Sequence, residues 1–158
     1  MKKVLCLLLS VLMVAGALSL SAFAASDAVA FMNFAAGNDG NAGTSADAPK
    51  KSFGTATGSG VISLLTNGGT LVITGKAYIG LANFEFPAMP EELVITSNYD
   101  GVDYKNPSPE SNPSCAFKMQ SSATLTINSD VRFDDIILFQ EGAQNTILVK
   151  AGTTLIMT

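Results

Sequence analysis

Four short stretches of this chain follow one pattern: Leu71-Val72-Ile73-Thr74, Leu93-Val94-Ile95-Thr96, Leu125-Thr126-Ile127-Asn128 and Leu155-Ile156-Met157-Thr158. Alternate side chains of a β-strand lie on the same face, so the first and third residue of each stretch are predicted to point into one shared interior. Burying one such Leu or Ile stabilises the fold by roughly 1.5–3 kcal/mol. Uneven repetition of this kind, at intervals of roughly 20–35 residues, is typical of a solenoid, in which each coil buries its apolar face against the next.

Runs rich in Val, Ile, Thr and Phe, bounded by turn residues, predict the remaining strands. One coil is predicted to pass through residues 124–128, 131–138 and 146–150 and to return at residues 153–158. Three strands and about 30 residues per turn are typical of an all-β fold, the parallel β-helix.

Two further segments are interpreted as insertions between the repeats: residues 78–90, and residues 105–113 with their three prolines. The outward residues of the repeats carry no charge, and they are Val72, Val94, Thr126 and Ile156. We therefore expect this stripe to be partly covered, either by residues 78–90 or by a partner.

The segment before the repeats contains an extended stretch at residues 31–36, a Gly-Asn-Asp-Gly loop at residues 37–40 and Ala48-Pro49, and a Gly-Gly-Thr strand entry follows at residues 68–70. In these motifs the chain resembles the secreted right-handed parallel β-helix proteins of the pectin-lyase-like superfamily. The resemblance implies a short N-terminal capping helix, which we place at about residues 59–66 and end at Gly68. Three glycines depart from the family pattern in this region, at positions 54, 58 and 60.

The N-terminus carries the features of a secretory leader. Lys2 and Lys3 precede an apolar run at residues 4–14, and Ala22-Phe23-Ala24 is typical of a cleavage site. We predict a signal peptide at residues 1–24, with cleavage after Ala24 or alternatively after Ala25. Residues 25–69 then form a strand, a loop and the capping helix, and residues 70–158 form the coils. The alternative is an uncleaved membrane anchor. Cleavage predicts a secreted or cell-surface protein that meets the membrane only through its leader.

Composition excludes several classes of function. The 158 residues include 13 acidic and 9 basic side chains and no His. The absence of His excludes His-based catalytic triads and His metal ligands. An acidic chain also lacks the clustered Lys and Arg that binding to nucleic acid requires. Cys115 is the one thiol left after leader removal, so we expect an apolar packing residue there, with an intermolecular disulfide as the alternative.

Asp134-Asp135 is an adjacent acidic pair within strand-like sequence. Enzymes of the resembled superfamily use carboxylates as Ca²⁺ ligands or as acid and base groups. On a straight strand, however, one of two neighbouring carboxylates would enter the core at high cost. We therefore predict a corner at this pair, with Val131 and Phe133 inward before it and residues 137 and 139 inward after it. Arg132 is expected to pair with Asp134.

Two sets of residues are candidate binding sites. Asp39, Asn41 and Asp47 offer oxygen ligands for Ca²⁺, although Asn and Asp clusters are also ordinary turn formers. Tyr99 and Tyr104 flank the start of the proline-rich insertion and are hypothesised to stack on sugar rings. The alternative is that both tyrosines pack against the coil with their hydroxyls in water.

The chain stops within an apolar strand, without a polar terminal coil. We therefore predict a β-helix that lacks a C-terminal cap, is the N-terminal portion of a longer protein or a truncated product, and associates end to end if secreted alone.

The predicted function is an exported, non-catalytic module that presents a surface to polysaccharide or to a cell-envelope component; the resemblance implies the carbohydrate part. The first alternative is the N-terminal part of a polysaccharide lyase or related carbohydrate-active enzyme whose active coils lie beyond Thr158. The hydrolase branch needs a Gly-His-Gly turn that a chain without His does not contain, and no residue is predicted to be catalytic. The second alternative is a structural or adhesive surface protein.

Overall fold

A computed structural model describes residues 27–79, 83–105, 116–140 and 142–158. The predicted leader and Cys115 lie outside these residues. Within them the chain is all-β, with one short 3-10 helix at Val61–Leu64 and no α-helix. The strands are β1 (Val29–Met32), β2 (Gly69–Ile73), β3 (Lys76–Ile79), β4 (Phe84–Glu85), β5 (Leu93–Thr96), β6 (Asn98–Tyr99), β7 (Val102–Asp103), β8 (Ala116–Met119), β9 (Thr124–Ile127), β10 (Val131–Asp134), β11 (Leu138–Gln140), β12 (Thr146–Val149) and β13 (Leu155–Met157).

Three parallel sheets organise these strands. Sheet 1 has the order β1-β2-β5-β10-β13, sheet 2 the order β3-β8-β11 and sheet 3 the order β4-β9-β12. From β2 onward the chain visits sheet 1, sheet 2 and sheet 3 in that order three times and then returns to sheet 1. The hairpin β6–β7 is antiparallel, whereas the three sheets are parallel throughout. The predicted all-β class is therefore confirmed.

Apolar side chains from all three sheets share one core. Six of the eight predicted inward residues are completely buried, and they are Leu71, Ile73, Leu93, Ile95, Leu125 and Ile127. Leu155 is half-buried and Met157 is 56% exposed. The edge strands β12 and β13 leave Leu148, Val149 and Ile156 exposed as well. End-to-end association at these edges stays a prediction.

The register between turns differs from the predicted one. The repeat pattern predicted that the stretch beginning at Leu125 lies in the same sheet as the stretch beginning at Leu93. Leu125 instead belongs to β9 in sheet 3, and β10 pairs with β5 in sheet 1. Leu93 pairs with Gly69 and not with Leu71. This is a shift of two residues, the period of a β-strand, so the same side chains still point inward.

The turns also differ in length. Leu93 and Val131 lie side by side in sheet 1, and Thr124 and Thr146 lie side by side in sheet 3. The stretch of chain from Leu93 to Val131 is much longer than the stretch from Thr124 to Thr146. The longer interval contains the hairpin β6–β7 and the proline-rich segment that follows it. The turn from β5 to β10 is therefore longer than the turn before it and the turn after it, because it carries the insertion predicted between the second and third repeats.

The described residues of the segment 78–90 are part of the turn and not a covering insertion. They include β4, and Phe86 is completely buried in the core. Part of the outward face of sheet 1 is covered by the hairpin β6–β7: the Tyr99 ring lies edge-on to Phe31, with 5.8 Å between centroids. Phe31 pairs in register with Val72, which is also buried. The expectation of a covered stripe is confirmed at Val72 but not at Ile156, which is 40% exposed. Of the two predicted covers, residues 78–90 are not the one seen beside Phe31, and cover by a partner stays a prediction.

The predicted helix near residues 59–66 is a short 3-10 helix in which Val61 and Ile62 are completely buried. The backbones of Gly54 and Gly60 touch beside it, and a Cβ on Gly54 would lie 2.5 Å from the Gly60 backbone. Gly54 also has a φ of 63°, which favours glycine. Close backbone contact therefore explains two of the glycines that replace good helix formers in this segment.

The predicted corner at Asp134-Asp135 is confirmed, because β10 ends at Asp134 and Asp135 has a φ of 48°. Val131 and Phe133 are buried before it, as predicted. After the corner the residues that pack on the core are Ile136 and Leu138, and the predicted residues 137 and 139 are wrong by one position. A single left-handed residue makes the turn, so the alternation resumes one residue earlier than expected.

Candidate functional site

The outward face of sheet 2 carries aromatic and lysine side chains in register. Tyr78 on β3 pairs with Lys118 on β8, and Lys118 pairs with Phe139 on β11. The Lys118 Nζ lies 5.1 Å from the Tyr78 ring centroid and 5.3 Å from the Phe139 ring centroid. Both distances are within the range of a cation–π interaction. These three side chains therefore form a ring–cation–ring sequence across three neighbouring strands.

Two residues from the N-terminal segment extend this sequence. The backbone N–H of Phe34 donates to the Lys76 carbonyl at 2.8 Å, which fixes Phe34 beside β3. Its ring lies 4.9 Å from the Tyr78 ring, at an angle of 46°. The Lys51 Nζ lies 5.6 Å from the centre of the Phe34 ring. We call the five side chains Lys51, Phe34, Tyr78, Lys118 and Phe139 the ring–lysine row.

The ring–lysine row is most accessible at its N-terminal end. Phe34 is 41% exposed and Lys51 is exposed, whereas Tyr78 and Phe139 are half-buried and Lys118 is 5% exposed. Three strand spacings separate Phe34 from Phe139, which gives a length of about 14 Å. Aromatic faces present apolar surface, and lysine ammonium groups donate hydrogen bonds. This combination suits an elongated ligand with both apolar and polar surface.

Sequence reasoning missed the ring–lysine row because its members are far apart in the chain. A usable signal was present in Lys76-Ala77-Tyr78, where large polar or aromatic residues alternate with an alanine that is completely buried. That alternation marks an outward face. The partners of Tyr78 on that face depend on the register between β3 and β8, which a full turn of the chain separates.

The two tyrosines predicted to bind sugar lie elsewhere. Tyr99 is half-buried against Phe31 on sheet 1, as described above. Tyr104 is half-buried against the core, and its backbone N–H donates to the Ser97 carbonyl at 2.8 Å. These contacts favour the packing alternative, and ligand binding by this pair stays a prediction.

Asp39 organises the first loop through its carboxylate. Its Oδ1 accepts hydrogen bonds from the N–H groups of Lys51 at 3.0 Å and Ser52 at 2.9 Å, and its Oδ2 accepts one from the Ser52 hydroxyl at 2.7 Å. The Lys50 Nζ donates to the Asp39 carbonyl at 2.8 Å. Burial by itself raises the pKa of Asp39, but the Ser52 and Lys51 hydrogen bonds and the Lys50 charge outweigh it and hold the pKa below its ordinary value.

The other two predicted Ca²⁺ ligands do not complete an oxygen cage with Asp39. The Asn41 amide nitrogen donates to the Pro49 carbonyl at 2.9 Å, and Asp47 is exposed. Ca²⁺ takes six to eight oxygen ligands. It would have to displace the donors that already occupy the Asp39 carboxylate, close to a lysine ammonium group. A Ca²⁺ site here stays a prediction that these contacts oppose. In the described ranges, no three Asp, Glu, Cys or His residues are grouped so that they could hold a metal ion.

The first corner carboxylate belongs to an ion-pair network. Arg132 lies 3.2 Å from Glu92 and 3.5 Å from Asp134, which confirms the predicted Arg132–Asp134 pair. Asp134 also accepts a hydrogen bond from the Thr158 hydroxyl at 2.9 Å. These contacts join β10 to its neighbours in sheet 1.

Asp135 connects the corner to the hairpin β6–β7. It accepts hydrogen bonds from the Lys105 ammonium group and from the Asn98 amide at 3.1 Å. The Lys105 hydrogen bond, followed by the Asn98 hydrogen bond, lowers the pKa of Asp135. Both members of the acidic pair, Asp134 and Asp135, are therefore engaged in contacts that stabilise the fold.

Comparisons with protein-family models, with curated proteins and with solved structures find no match to this chain. The resemblance to the pectin-lyase-like superfamily thus stays a prediction. Over the part of the chain that the structure describes, no helix is long and apolar enough to cross a bilayer.

Proposed function

We propose that this chain is an exported, non-catalytic module with a right-handed parallel β-helix fold, which binds polysaccharide of the cell envelope or its surroundings. Three observations support the proposal. The chain passes through three parallel sheets in a fixed order, and its motifs resemble those of secreted β-helix proteins. Its N-terminus has the pattern of a cleavable leader.

The observation that carries the binding part of the proposal is the ring–lysine row. A sugar ring has an apolar face and a polar edge, so it gains from contact with an aromatic ring and from hydrogen bonds to a cation at the same time. Phe34 supplies the most exposed ring, and Lys51 lies next to it. A polymer of sugars repeats along its length, as the strands of sheet 2 do. Phe34 and Lys51, followed by the half-buried Tyr78 and Phe139, therefore offer contacts to successive sugar units, while the buried Lys118 holds the two inner rings in place.

Affinity electrophoresis of the purified secreted chain in gels that contain single polysaccharides tests the proposal. We expect retardation by at least one polymer and a reduced retardation for Phe34→Ala and Lys51→Gln. Loss of one aromatic contact of about 1 kcal/mol corresponds to a roughly five-fold weaker affinity. Leu148→Ala is the matched control, because Leu148 is 51% exposed and lies on sheet 3.

Three results would contradict the proposal. The first is the absence of retardation by every polymer. The second is equal retardation of Phe34→Ala and Leu148→Ala, which would place binding away from the ring–lysine row. The third is depolymerisation of the polysaccharide, detected as new uronide double bonds or reducing ends, which would favour the enzyme alternative.

A further inference from the structure

A cavity of about 390 Å³ lies beside β4, the edge strand of sheet 3. It is lined by residues of two chain segments, namely Gly54, Thr55, Ala56, Asn83, Phe84, Glu85 and Pro87. This volume is within the range of about 300–1,000 Å³ that is typical of small-molecule sites. We call it the Phe84 cavity. It is separate from the ring–lysine row, and none of the five residues of that row lines it.

The aromatic surface of the Phe84 cavity is held rigidly. Phe84 packs against Phe53 with 4.8 Å between ring centroids and against Phe86 with 5.1 Å, at angles of 41° and 89°. Phe53 and Phe86 are buried, so they fix the orientation of the Phe84 ring. Phe84 itself is only half-buried and lines the cavity. A ligand therefore meets a positioned aromatic surface and does not have to order it.

The part of the lining formed by Thr55 and Ala56 is also fixed. Thr55 and Ala56 are exposed residues of a turn that closes with a hydrogen bond from the Gly58 N–H to the Thr55 carbonyl at 3.1 Å. The touching backbones of Gly54 and Gly60 hold the two ends of this turn together. This part of the lining is therefore also held in place before a ligand binds.

The polar groups of the cavity narrow the class of ligand. Thr55 and Asn83 are uncharged polar residues of the lining, and the carboxylate of Glu85 is bound by the Lys150 Nζ at 2.5 Å. Because Glu85 is paired with Lys150, no residue of this lining offers an unpaired charge to a charged ligand, whereas Thr55 and Asn83 offer hydrogen bonds. An uncharged ring with one apolar face and a polar edge satisfies both the Phe84 ring and these two polar residues.

We propose that the Phe84 cavity binds a single neutral pyranose, as a terminal or side-branch sugar of the glycan. The apolar face of the sugar lies on the Phe84 ring, and its hydroxyls bond to Thr55 and Asn83. The site rests on the proposed function, because it adds a second, end-binding subsite to a carbohydrate-binding module. It also differs from that function in its ligand, which is one sugar unit and not an extended polymer.

Saturation-transfer NMR on the full secreted chain, with glucose, galactose, mannose and N-acetylglucosamine as probes, tests the cavity. We expect saturation transfer to at least one of them, strongest at protons of one face of the ring. Ala56→Phe fills the cavity from an exposed position and is expected to weaken binding at least ten-fold. Ala42→Phe introduces the same side chain at another exposed site and serves as the control. Asn83→Ala, which changes an exposed side chain, gives a second variant that keeps the core unchanged.

The outcomes separate the two proposals. Loss of monosaccharide binding in Ala56→Phe with unchanged polysaccharide retardation supports a separate subsite. If Ala56→Phe leaves monosaccharide binding intact, or if no probe shows saturation transfer, the proposed sugar site in the Phe84 cavity is overturned. If a polymer still retards the chain in either case, the proposed function stands. Tighter binding of glucuronate than of glucose overturns the neutral-sugar assignment. If neither sugars nor polymers bind, both proposals fail.

Discussion

Phe117→Ala tests whether successive turns of the chain share one core. Phe117 is completely buried, and its ring contacts Phe53 at 5.5 Å, Phe86 at 6.4 Å and Phe133 at 5.1 Å between centroids. These partners come from the segment before β2, from the turn through β4 and from β10. Phe117 therefore connects three levels of the stack.

Removing a buried Phe side chain costs about 3–5 kcal/mol, and three aromatic contacts at roughly 0.5–1.5 kcal/mol each favour the upper part of that range. A loss of about 4 kcal/mol is a large fraction of a total stability of roughly 5–15 kcal/mol. We expect a strongly reduced urea midpoint and a melting temperature lower by on the order of 10 °C.

Urea and thermal unfolding, followed by far-ultraviolet circular dichroism, provide the measurement. Phe34→Ala is the matched control, because Phe34 is 41% exposed and its loss is expected to cost less than about 1 kcal/mol. Phe117→Leu, which keeps most of the apolar volume, is expected to recover part of the loss. Equal midpoints for Phe117→Ala and Phe34→Ala would refute a core that is shared between turns.

Two further predictions concern the backbone and the charges. Gly68→Ala is expected to lower the free energy of unfolding by more than about 2 kcal/mol, because Gly68 has a φ of 99° and a Cβ there would lie 2.6 Å from the Glu91 carbonyl oxygen. Gly101 has a φ of 77° and no atom within 4 Å of such a Cβ, so Gly101→Ala is the control and should lower it by only about 1 kcal/mol. Chemical unfolding measures both values. The lowered pKa values of Asp39 and Asp135 predict stability that is fully present above about pH 4 and is lost as the pH falls through the lowered values. Thermal unfolding of Asp135→Asn should therefore show a weaker pH dependence below about pH 4 than the wild type, and an identical dependence would contradict a role for this carboxylate.

The strands and their inward faces could be predicted from local sequence because each rests on neighbouring residues. Leu71-Val72-Ile73 is rich in β-formers, and its period of two selects the face that is buried. The corner at Asp134-Asp135 was predictable for the same reason, since a carboxylate in the core is costly and Asp forms turns readily. The position of Ile136 and Leu138 was not, because the number of residues that a corner uses depends on its backbone conformation.

Sequence by itself determined that this chain forms strands, which face of the repeat strands points inward and where one corner lies, because local periodicity and the cost of burying charge specify these features. Only the tertiary structure decided which strands became neighbours. A shift of two residues between neighbouring strands leaves the same side chains buried, so periodicity cannot distinguish the pairing of Leu93 with Gly69 from a pairing with Leu71. The ring–lysine row and the Phe84 cavity depend on those pairings and on loop closure, which bring together residues as distant as Phe34 and Phe139.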